Sequence, residues 1–299
     1  MKLGMIGLGR MGGNMGTRLL MNGHDLVAYD PDPTASEALA QAGASTTDSL
    51  GELIRNLQMP RIVWVMVPSG ESTEETIHAL GNNLSDGDIV VDGGNSNYKD
   101  SMRRAESLRG KGIYLLDVGT SGGIWGLENG YSIMVGGDHS AFLKIEPLLH
   151  SLAPPNGYGH VGPSGAGHFV KMIHNGIEYG LMQSYAEGFE LLSSKEDFPL
   201  DLAQIASIWM HGSVVRSWLL ELTLACLKDN PRLKGIADFV EDSGEGRWTV
   251  QEGLDLAIPT PVIALALQAR FRSRQHESFG GKLLSAMRNK FGGHSVKNA

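Results

Sequence analysis

Residues 3–12 read Leu-Gly-Met-Ile-Gly-Leu-Gly-Arg-Met-Gly, an apolar run that enters the pattern G-x-G-x-x-G. Glycines at these positions permit a tight turn and let backbone N–H groups approach a pyrophosphate, and the N-terminus of the following helix adds partial positive charge. The stretch therefore predicts a strand–turn–helix unit that binds a dinucleotide. We assign cofactor contacts to the whole turn, Gly7, Leu8, Gly9, Arg10, Met11 and Gly12.

Asp30 ends the second apolar run, 18 residues after Gly12. A carboxylate at this place accepts hydrogen bonds from both ribose hydroxyls of NAD and repels the 2′-phosphate of NADP. We therefore expect NAD as the preferred cofactor, with NADP possible.

Short, continuously apolar runs recur through the first 160 residues, with amphipathic helical patterns between them. The runs are Leu3–Ile6, Leu26–Tyr29, Ile62–Val67, Ile89–Val91 and Leu115–Val118. This alternation is typical of a parallel sheet covered by helices on both faces. From about Gly165 onward only helical spacing remains. We predict an α/β protein, with an N-terminal Rossmann-type parallel sheet domain that binds NAD(P) followed by an all-helical C-terminal domain.

The stretch Pro154–Pro163 is rich in proline and glycine and marks the predicted boundary. The sheet domain is accordingly assigned to residues 1–163. Residues 164–299 form the predicted domain for substrate binding and dimerisation.

Charge is distributed unevenly along the chain, whose net charge is −8 over 299 residues. The last 30 residues hold seven basic side chains against a single acidic one, Glu277. An acidic body disfavours nucleic-acid binding, because the phosphate backbone attracts basic proteins. The basic tail suits a small anion, although a solvated charged tail is the alternative.

Other features of the sequence indicate the compartment of the protein and whether it binds a membrane or a metal. A single cysteine, Cys226, cannot form an intrachain disulfide and indicates a reducing compartment. No run of about 18 apolar residues is present, and the N-terminus is a poor signal peptide. We expect a cytoplasmic protein with no membrane contact. The histidines lack cysteine partners and metal-binding spacing, so no metal site is predicted.

The long helical pattern that begins at Gly167 carries the candidate catalytic residues. At 100° per residue, Asn175 lies about 40° and Glu178 about −20° from Lys171, so the three share one polar stripe. An exposed Lys–Glu pair is the alternative, but a spacing of seven residues is too long for direct pairing along a helix. Because burial disfavours a charged lysine, Lys171 can act as a general base and Glu178 as an acid in a hydride-transfer reaction.

These motifs together resemble the decarboxylating 6-phosphogluconate dehydrogenase family in its short form. The matching residues are Val91–Ser96 with Tyr98 and Asp100, Gly119 with Ser121–Gly123, Gly167–Tyr179 with Met182 and Gln183, Gly244 and Gly246 with Trp248 and Thr249, Arg270, and Arg288 through Phe291 and Gly292 to His294. The resemblance implies oxidation and decarboxylation of 6-phosphogluconate to ribulose 5-phosphate and CO₂. It places the protein in the pentose phosphate pathway and gluconate utilisation.

The resemblance also implies the residue roles. Lys171 would take the proton of the substrate 3-hydroxyl, and Glu178 would protonate C1 of the enediol after CO₂ leaves. The implied substrate-binding residues are Asn95, Ser121, Gly122, Gly123, His174, Asn175, Tyr179, Arg270, Arg288 and His294. Val67 and Asn95 complete the cofactor site. The implied partner is a small phosphorylated sugar acid, and a homodimer or homotetramer would place the C-terminal tail on a neighbouring subunit.

The chain departs from the family pattern at the phosphate end of the site. Asp242 and Ser243 stand where the family has a phosphate-binding lysine.

Two other functions share many of these residues. One is a non-decarboxylating NAD-dependent 3-hydroxyacid dehydrogenase of the related β-hydroxyacid group, and the other is a non-catalytic NAD-sensing module. Glu178 and the basic tail disfavour the first, and the intact Lys171 and Glu178 disfavour the second.

Overall fold

The computed structural model describes residues 1–297. Residues 298 and 299, the last two of the predicted helical domain, lie outside the described residues. Eight strands form one sheet in the order β3-β2-β1-β4-β5-β6-β7-β8. The strands are β1 (Lys2–Ile6), β2 (Asp25–Tyr29), β3 (Ser45–Thr46), β4 (Ile62–Val65), β5 (Ile89–Asp92), β6 (Tyr114–Ser121), β7 (Ser132–Gly136) and β8 (Tyr158–Gly162).

The pairing confirms the predicted parallel sheet for the first six strands. At the far edge, β7 runs antiparallel to β6, and β8 runs parallel to β7. Three strands, β3, β7 and β8, were not predicted from the apolar runs. β3 has only two residues, and β8 contains two glycines and a histidine at the sheet edge, so neither has the apolar run of a buried strand. Since β8 lies within Pro154–Pro163, that segment is not only a connection.

The core of the sheet is buried on both faces, which explains the continuous apolar runs. Along β1 and β4, Met5 and Trp64 belong to one apolar cluster, and Ile6 and Val63 belong to the cluster on the other face. The covering helices are α1 (Arg10–Met21), α2 (Pro33–Gln41), α3 (Leu50–Arg55), α4 (Glu71–Gly81), α5 (Tyr98–Arg109), α6 (Gly126–Asn129) and α7 (His139–Leu152).

The remainder of the described chain is helical, as predicted. Its helices are α8 (Ala166–Ser194), α9 (Leu202–Trp209), α10 (Trp218–Asp229), α11 (Glu245–Asp255), α12 (Pro261–Ser273) and α13 (Phe279–Gly292). The helical pattern from Val214 begins later than predicted, because the Ser217 side chain caps α10 by accepting a hydrogen bond from the backbone N–H of Leu220.

By contacts between residues, the chain separates into two compact units. The first is Met1–Asn175, and the second begins at Gly176, so the division falls within α8. Among residues 1–297, no helix combines the length and the apolar character that crossing a bilayer requires.

Candidate active site

The glycine turn between β1 and α1 has the backbone geometry that an anion site needs. Gly7 has φ of +85°, and a Cβ there would lie 2.7 Å from the Met66 carbonyl. Gly12 packs directly against the Gly7 carbonyl oxygen. A Cβ on Gly9, by contrast, would meet no protein atom within 4 Å, and Gly9 caps α1 without a side-chain hydrogen bond. The first-turn N–H groups of α1 therefore lack a side-chain acceptor, and the open space beside Gly9 lets a ligand approach this end of the helix.

Asp30 follows β2 and is held by two backbone hydrogen bonds. Leu8 N–H donates to its Oδ2 at 2.6 Å, and Asp32 N–H donates to its Oδ1 at 2.8 Å. An ionised carboxylate has about four acceptor positions, so two remain for donors from a ligand. A second acid, Asp32, lies two residues further along the chain. Hydrogen bonds from the Thr34 hydroxyl and N–H lower the pKa of Asp32, which favours its charged form.

These elements line a cavity of about 820 Å³ at the carboxyl ends of the parallel strands. Leu8 is not among the lining residues, and its backbone N–H orients Asp30 instead. The predicted cofactor residues that line the cavity are Gly7, Gly9, Arg10, Met11, Gly12, Asp30, Val67 and Asn95. The glycine turn, the open helix N-terminus and the oriented carboxylate together fit a nicotinamide dinucleotide.

Asn95, on the segment after β5, also lines this cavity and is bonded to the end of β6. Its Oδ1 accepts from Thr120 N–H at 3.0 Å, and its Nδ2 donates to the Thr120 carbonyl at 3.3 Å. The next residues of β6 and its turn are Ser121, Gly122 and Gly123, and both glycines have positive φ, +129° and +53°. Asn95 and the Ser121–Gly123 turn are therefore joined through Thr120.

Lys171 lies on α8 where this helix packs directly on β6. A Cβ on Gly119 would lie 2.7 Å from the Gly167 carbonyl oxygen and closer still to the Lys171 Cβ. Lys171 is only 5% exposed, and its Nζ donates to Asn175 Oδ1 at 2.7 Å. The Nδ1 of His174 lies 3.1 Å from the same oxygen. Lys171, His174 and Asn175 thus form one hydrogen-bonded group, which includes two residues of the predicted stripe, Lys171 and Asn175.

Asp117, on β6, was missed from the sequence. This carboxylate is fully buried and accepts N–H bonds from Gly165 at 2.7 Å and from His168 at 2.9 Å, at the start of α8. It therefore fixes the N-terminus of the helix that carries Lys171. The available signal was an acid inside an apolar strand, because such a group needs buried partners.

The second compact unit contains a different predicted pair, Tyr179 and Arg270. Tyr179 is 4% exposed, and the Arg270 guanidinium lies 3.5 Å from the centre of its ring. The Tyr179 hydroxyl accepts from Ser243 N–H at 3.1 Å. A Cβ on Gly246 would lie 2.8 Å from the Tyr179 ring carbon Cδ2, so this glycine lets the N-terminus of α11 approach the ring.

Asp242, at the place of the family lysine, is neutralised by two arginines of the same unit. Arg247 contacts it at 2.6 Å and Arg274 at 2.8 Å, and hydrogen bonds from Arg247 and then Arg274 lower the pKa of the Asp242 carboxyl. Together with Arg270, the local arginines therefore outnumber this carboxylate by three to one.

Three of the predicted site residues are less buried than Lys171 and Tyr179. Glu178, one residue before Tyr179 on α8, is half-buried. Arg288 and His294 are exposed, and α13 has no buried residue. Within residues 1–297, Arg288 forms no hydrogen bond or ion pair with the groups around Tyr179. No group of three or more potential metal ligands occurs among those residues.

Comparison with known families accounts for both parts of the chain. Residues 2–162 match the family described as the NAD binding domain of 6-phosphogluconate dehydrogenase, and residues 167–279 match its C-terminal domain. The chain belongs to the 6-phosphogluconate dehydrogenase family. It is therefore an oxidoreductase of that family with an NAD(P)-binding Rossmann domain.

Two relatives have nearly the same length as this chain. "Putative 6-phosphogluconate dehydrogenase YqeC" of Bacillus subtilis (strain 168) is 46% identical over 99% of each chain. The Haloferax volcanii protein named 6-phosphogluconate dehydrogenase, NAD(+)-dependent, decarboxylating, is 44% identical, over 99% of this chain and 98% of that one.

Solved structures show the same fold. The Plasmodium falciparum 6-phosphogluconate dehydrogenase, described in complex with its cofactor NADP⁺ and with its substrate 6-phosphogluconate, has a TM-score of 0.85 and 28% identity. The match covers all of this chain and 66% of the Plasmodium chain. A Mycobacterium tuberculosis 3-hydroxyisobutyrate dehydrogenase has a TM-score of 0.74 at 21% identity, covers 96% of this chain and 99% of that one, and shares the fold.

Proposed function

We propose that this protein catalyses the NAD-dependent oxidative decarboxylation of 6-phosphogluconate to ribulose 5-phosphate and CO₂. The observation that carries the proposal is the buried Lys171, bonded to Asn175 and packed on β6 beside the turn that contains Ser121. Family membership and the name of the Haloferax relative support the same reaction.

The cofactor would be held by the cavity of the first unit. The α1 N-terminus and the glycine turn would bind the pyrophosphate, and Asp30 would bind the adenosine ribose. When bound, the nicotinamide supplies the oxidising power, because it takes up hydrogen with two electrons from C3 of the substrate. Every other step depends on groups of the protein.

Lys171 would begin the reaction as the general base. In its neutral form it takes the proton of the 3-hydroxyl while C3 is oxidised to a carbonyl. The product is a β-keto acid, whose C1–C2 bond breaks to release CO₂ and leave an enediol. Protonated Lys171 donates to the C3 oxygen as negative charge develops there, which lowers the barrier to this step.

Glu178 would complete the reaction as the general acid. It donates its proton to C1 of the enediol while the hydroxyl formed from the C3 oxygen returns its proton to Lys171, and the ketone ribulose 5-phosphate results. Asn95, Ser121, Gly122, Gly123, His174 and Asn175 would position the carboxylate and hydroxyls of the substrate.

The preference for NAD rests on the charges after β2. Asp30 and Asp32 together place negative charge beside the ribose position, and no basic residue lies between them. The 2′-phosphate of NADP would be repelled there. Arg10 also lines the cavity and is the cation that could reduce this repulsion.

The substrate phosphate would be bound by Tyr179 and Arg270, with Arg288 and His294 from the tail. Since Asp242 is paired with Arg247 and Arg274, its charge does not oppose a phosphate as a lone carboxylate would. Arg288 and His294 are exposed in the single chain, which agrees with a homodimer or homotetramer in which the tail serves a neighbouring subunit.

The decisive experiment measures both products of one reaction. With 6-phosphogluconate and NAD, the purified protein should release NADH and CO₂ in equal amounts. NADH without CO₂ would instead identify a non-decarboxylating 3-hydroxyacid dehydrogenase, and bound NAD without turnover would identify a sensing module.

The base assignment is tested by Lys171→Ala, with Lys144→Ala, an exposed lysine on α7, as control. Loss of a positioned base typically lowers kcat by ~10²–10⁴-fold. We expect at least this loss for Lys171→Ala and none for Lys144→Ala. A Lys171→Ala variant within a few-fold of the wild type would show that another group is the base.

A further inference from the structure

The segment after β5 has a backbone that needs external support. Asn95 adopts φ of +52°, a region that side-chain-bearing residues seldom occupy, and asparagine tolerates it better than most. A Cβ on the preceding Gly94 would lie 2.7 Å from the Val67 carbonyl oxygen, so the segment is also closely packed. Such a conformation persists only where the surrounding groups hold it.

Arg104, on α5, supplies a buried hydrogen-bond network beneath this segment. It is 3% exposed, and its Nη1 donates to Asp92 Oδ2 at 3.3 Å and to Ser96 Oγ at 3.2 Å. Asp92 is fully buried and accepts from Ser96 Oγ at 2.9 Å and from Gly94 N–H at 3.2 Å. The two residues that flank Gly93–Asn95 are therefore both bound to one guanidinium.

The other nitrogens of Arg104 bind the start of α4, a second element whose residues line the cavity. Its Nε donates to Glu74 Oε2 at 2.8 Å, and its Nη2 donates to the Gly70 carbonyl at 3.4 Å. Glu74 lies in the first turn of α4, and Ser72 and Thr76 of the same helix line the 820 Å³ cavity. Hydrogen bonds from Arg103 hold Glu74 as well.

We propose that Arg104 is a positioning residue for the reaction. Its guanidinium holds the Asn95 segment and the start of α4 at a fixed separation around the nucleotide cavity, and so sets the position at which Asn95 meets substrate and cofactor. Only a planar fork with several donors can reach all four partners, because a lysine ammonium is a single point on a flexible stem. The substrate half of this inference rests on the proposed function, whereas the cofactor half does not.

The test compares Arg104→Lys with Arg61→Lys. Arg61 forms a similar pair with the fully buried Asp88, at 3.0 Å, at the other end of β5, and lines no part of the cavity. Both variants keep the charge and lose the fork. Binding of NAD is measured by titration calorimetry, and turnover of 6-phosphogluconate by NADH absorbance.

We expect both variants to lower the midpoint of thermal unfolding by similar amounts. Arg104→Lys should raise the Kd for NAD about tenfold and lower kcat/KM for 6-phosphogluconate by at least tenfold, and Arg61→Lys should change each by less than twofold. Arg104→Ala should regain activity on addition of millimolar guanidinium, well below denaturing concentrations, and Arg61→Ala should show no such response.

Equal losses in the two lysine variants would overturn the inference, since a merely structural role moves both alike. Unchanged NAD binding and kcat/KM in Arg104→Lys would overturn it as well. If the wild type binds NAD but does not turn over 6-phosphogluconate, the proposed function fails. The NAD titrations of the two variants still decide the role of Arg104.

Discussion

The contact between β6 and α8 gives a prediction about Gly119, a residue that does not line the nucleotide cavity. Gly119→Ala would place a methyl group 2.7 Å from the Gly167 carbonyl oxygen, whereas ordinary contact begins at 3.4 Å. The same methyl group would approach the Lys171 Cβ even more closely. The backbone oxygen cannot rotate away, so α8 and Lys171 must shift by at least about 0.7 Å.

A misplacement of about 1 Å at a reacting group can cost about 10²-fold in rate. We therefore expect Gly119→Ala to lower kcat by about 10- to 100-fold. Gly119 does not line the nucleotide cavity, so the Kd for NAD should remain within about twofold. The assay is initial NADH formation at saturating 6-phosphogluconate and NAD, together with an NAD titration.

Gly4→Ala is the matched control, because it also overpacks a buried strand of the same sheet. Its methyl group would lie 2.6 Å from Cδ2 of Leu53. This atom is the end of a flexible side chain in an apolar cluster that does not include Lys171. Both variants should lose stability, by about 1–3 kcal/mol where the site cannot relax, but only Gly119→Ala should lose kcat. The reasoning would be refuted by a Gly119→Ala enzyme with wild-type kcat, or by equal losses of kcat in the two variants.

The remaining predictions concern the cofactor, the tail and an ion pair. Asp30→Ala should raise the KM for NAD and reduce discrimination against NADP, and initial rates with both cofactors would show an unchanged ratio if Asp30 has no ribose role. Arg288→Ala should mainly raise the KM for 6-phosphogluconate, with kcat nearly unchanged; a KM equal to the wild type would mean that the tail is structural. The hydrogen bonds from Arg103 and then Arg104 lower the pKa of Glu74 from 4.5 to about 2. Because the folded-state pKa is depressed, this stabilisation is complete above pH 4.5 and is lost as the pH falls towards 2. The stability difference between wild type and Glu74→Gln in urea unfolding should therefore shrink over that range, and a constant difference would exclude the ion pair as its source.

Local patterns in the sequence predicted the architecture well, because they depend on short-range rules. A strand buried on both faces must be continuously apolar, and the runs of β1, β2, β4, β5 and β6 satisfied this. The rule does not hold for the edge strand β8, which pairs with a neighbour on one side only. Its residues are half-buried or exposed and include glycine and histidine. The glycine turn could also be predicted from the sequence, because the positive φ of Gly7 favours glycine at that position.

The sequence by itself determined the fold class and the glycine turn, and it predicted the polar stripe of Lys171, Asn175 and Glu178, since each follows from backbone sterics or from helical periodicity. Only the tertiary structure decided which distant groups support these residues. Asp117 reaches the start of α8 across 51 positions, and Arg104 reaches Glu74 across 30. No periodicity encodes such pairs, because a buried polar group is satisfied by whatever donor or acceptor the fold brings beside it.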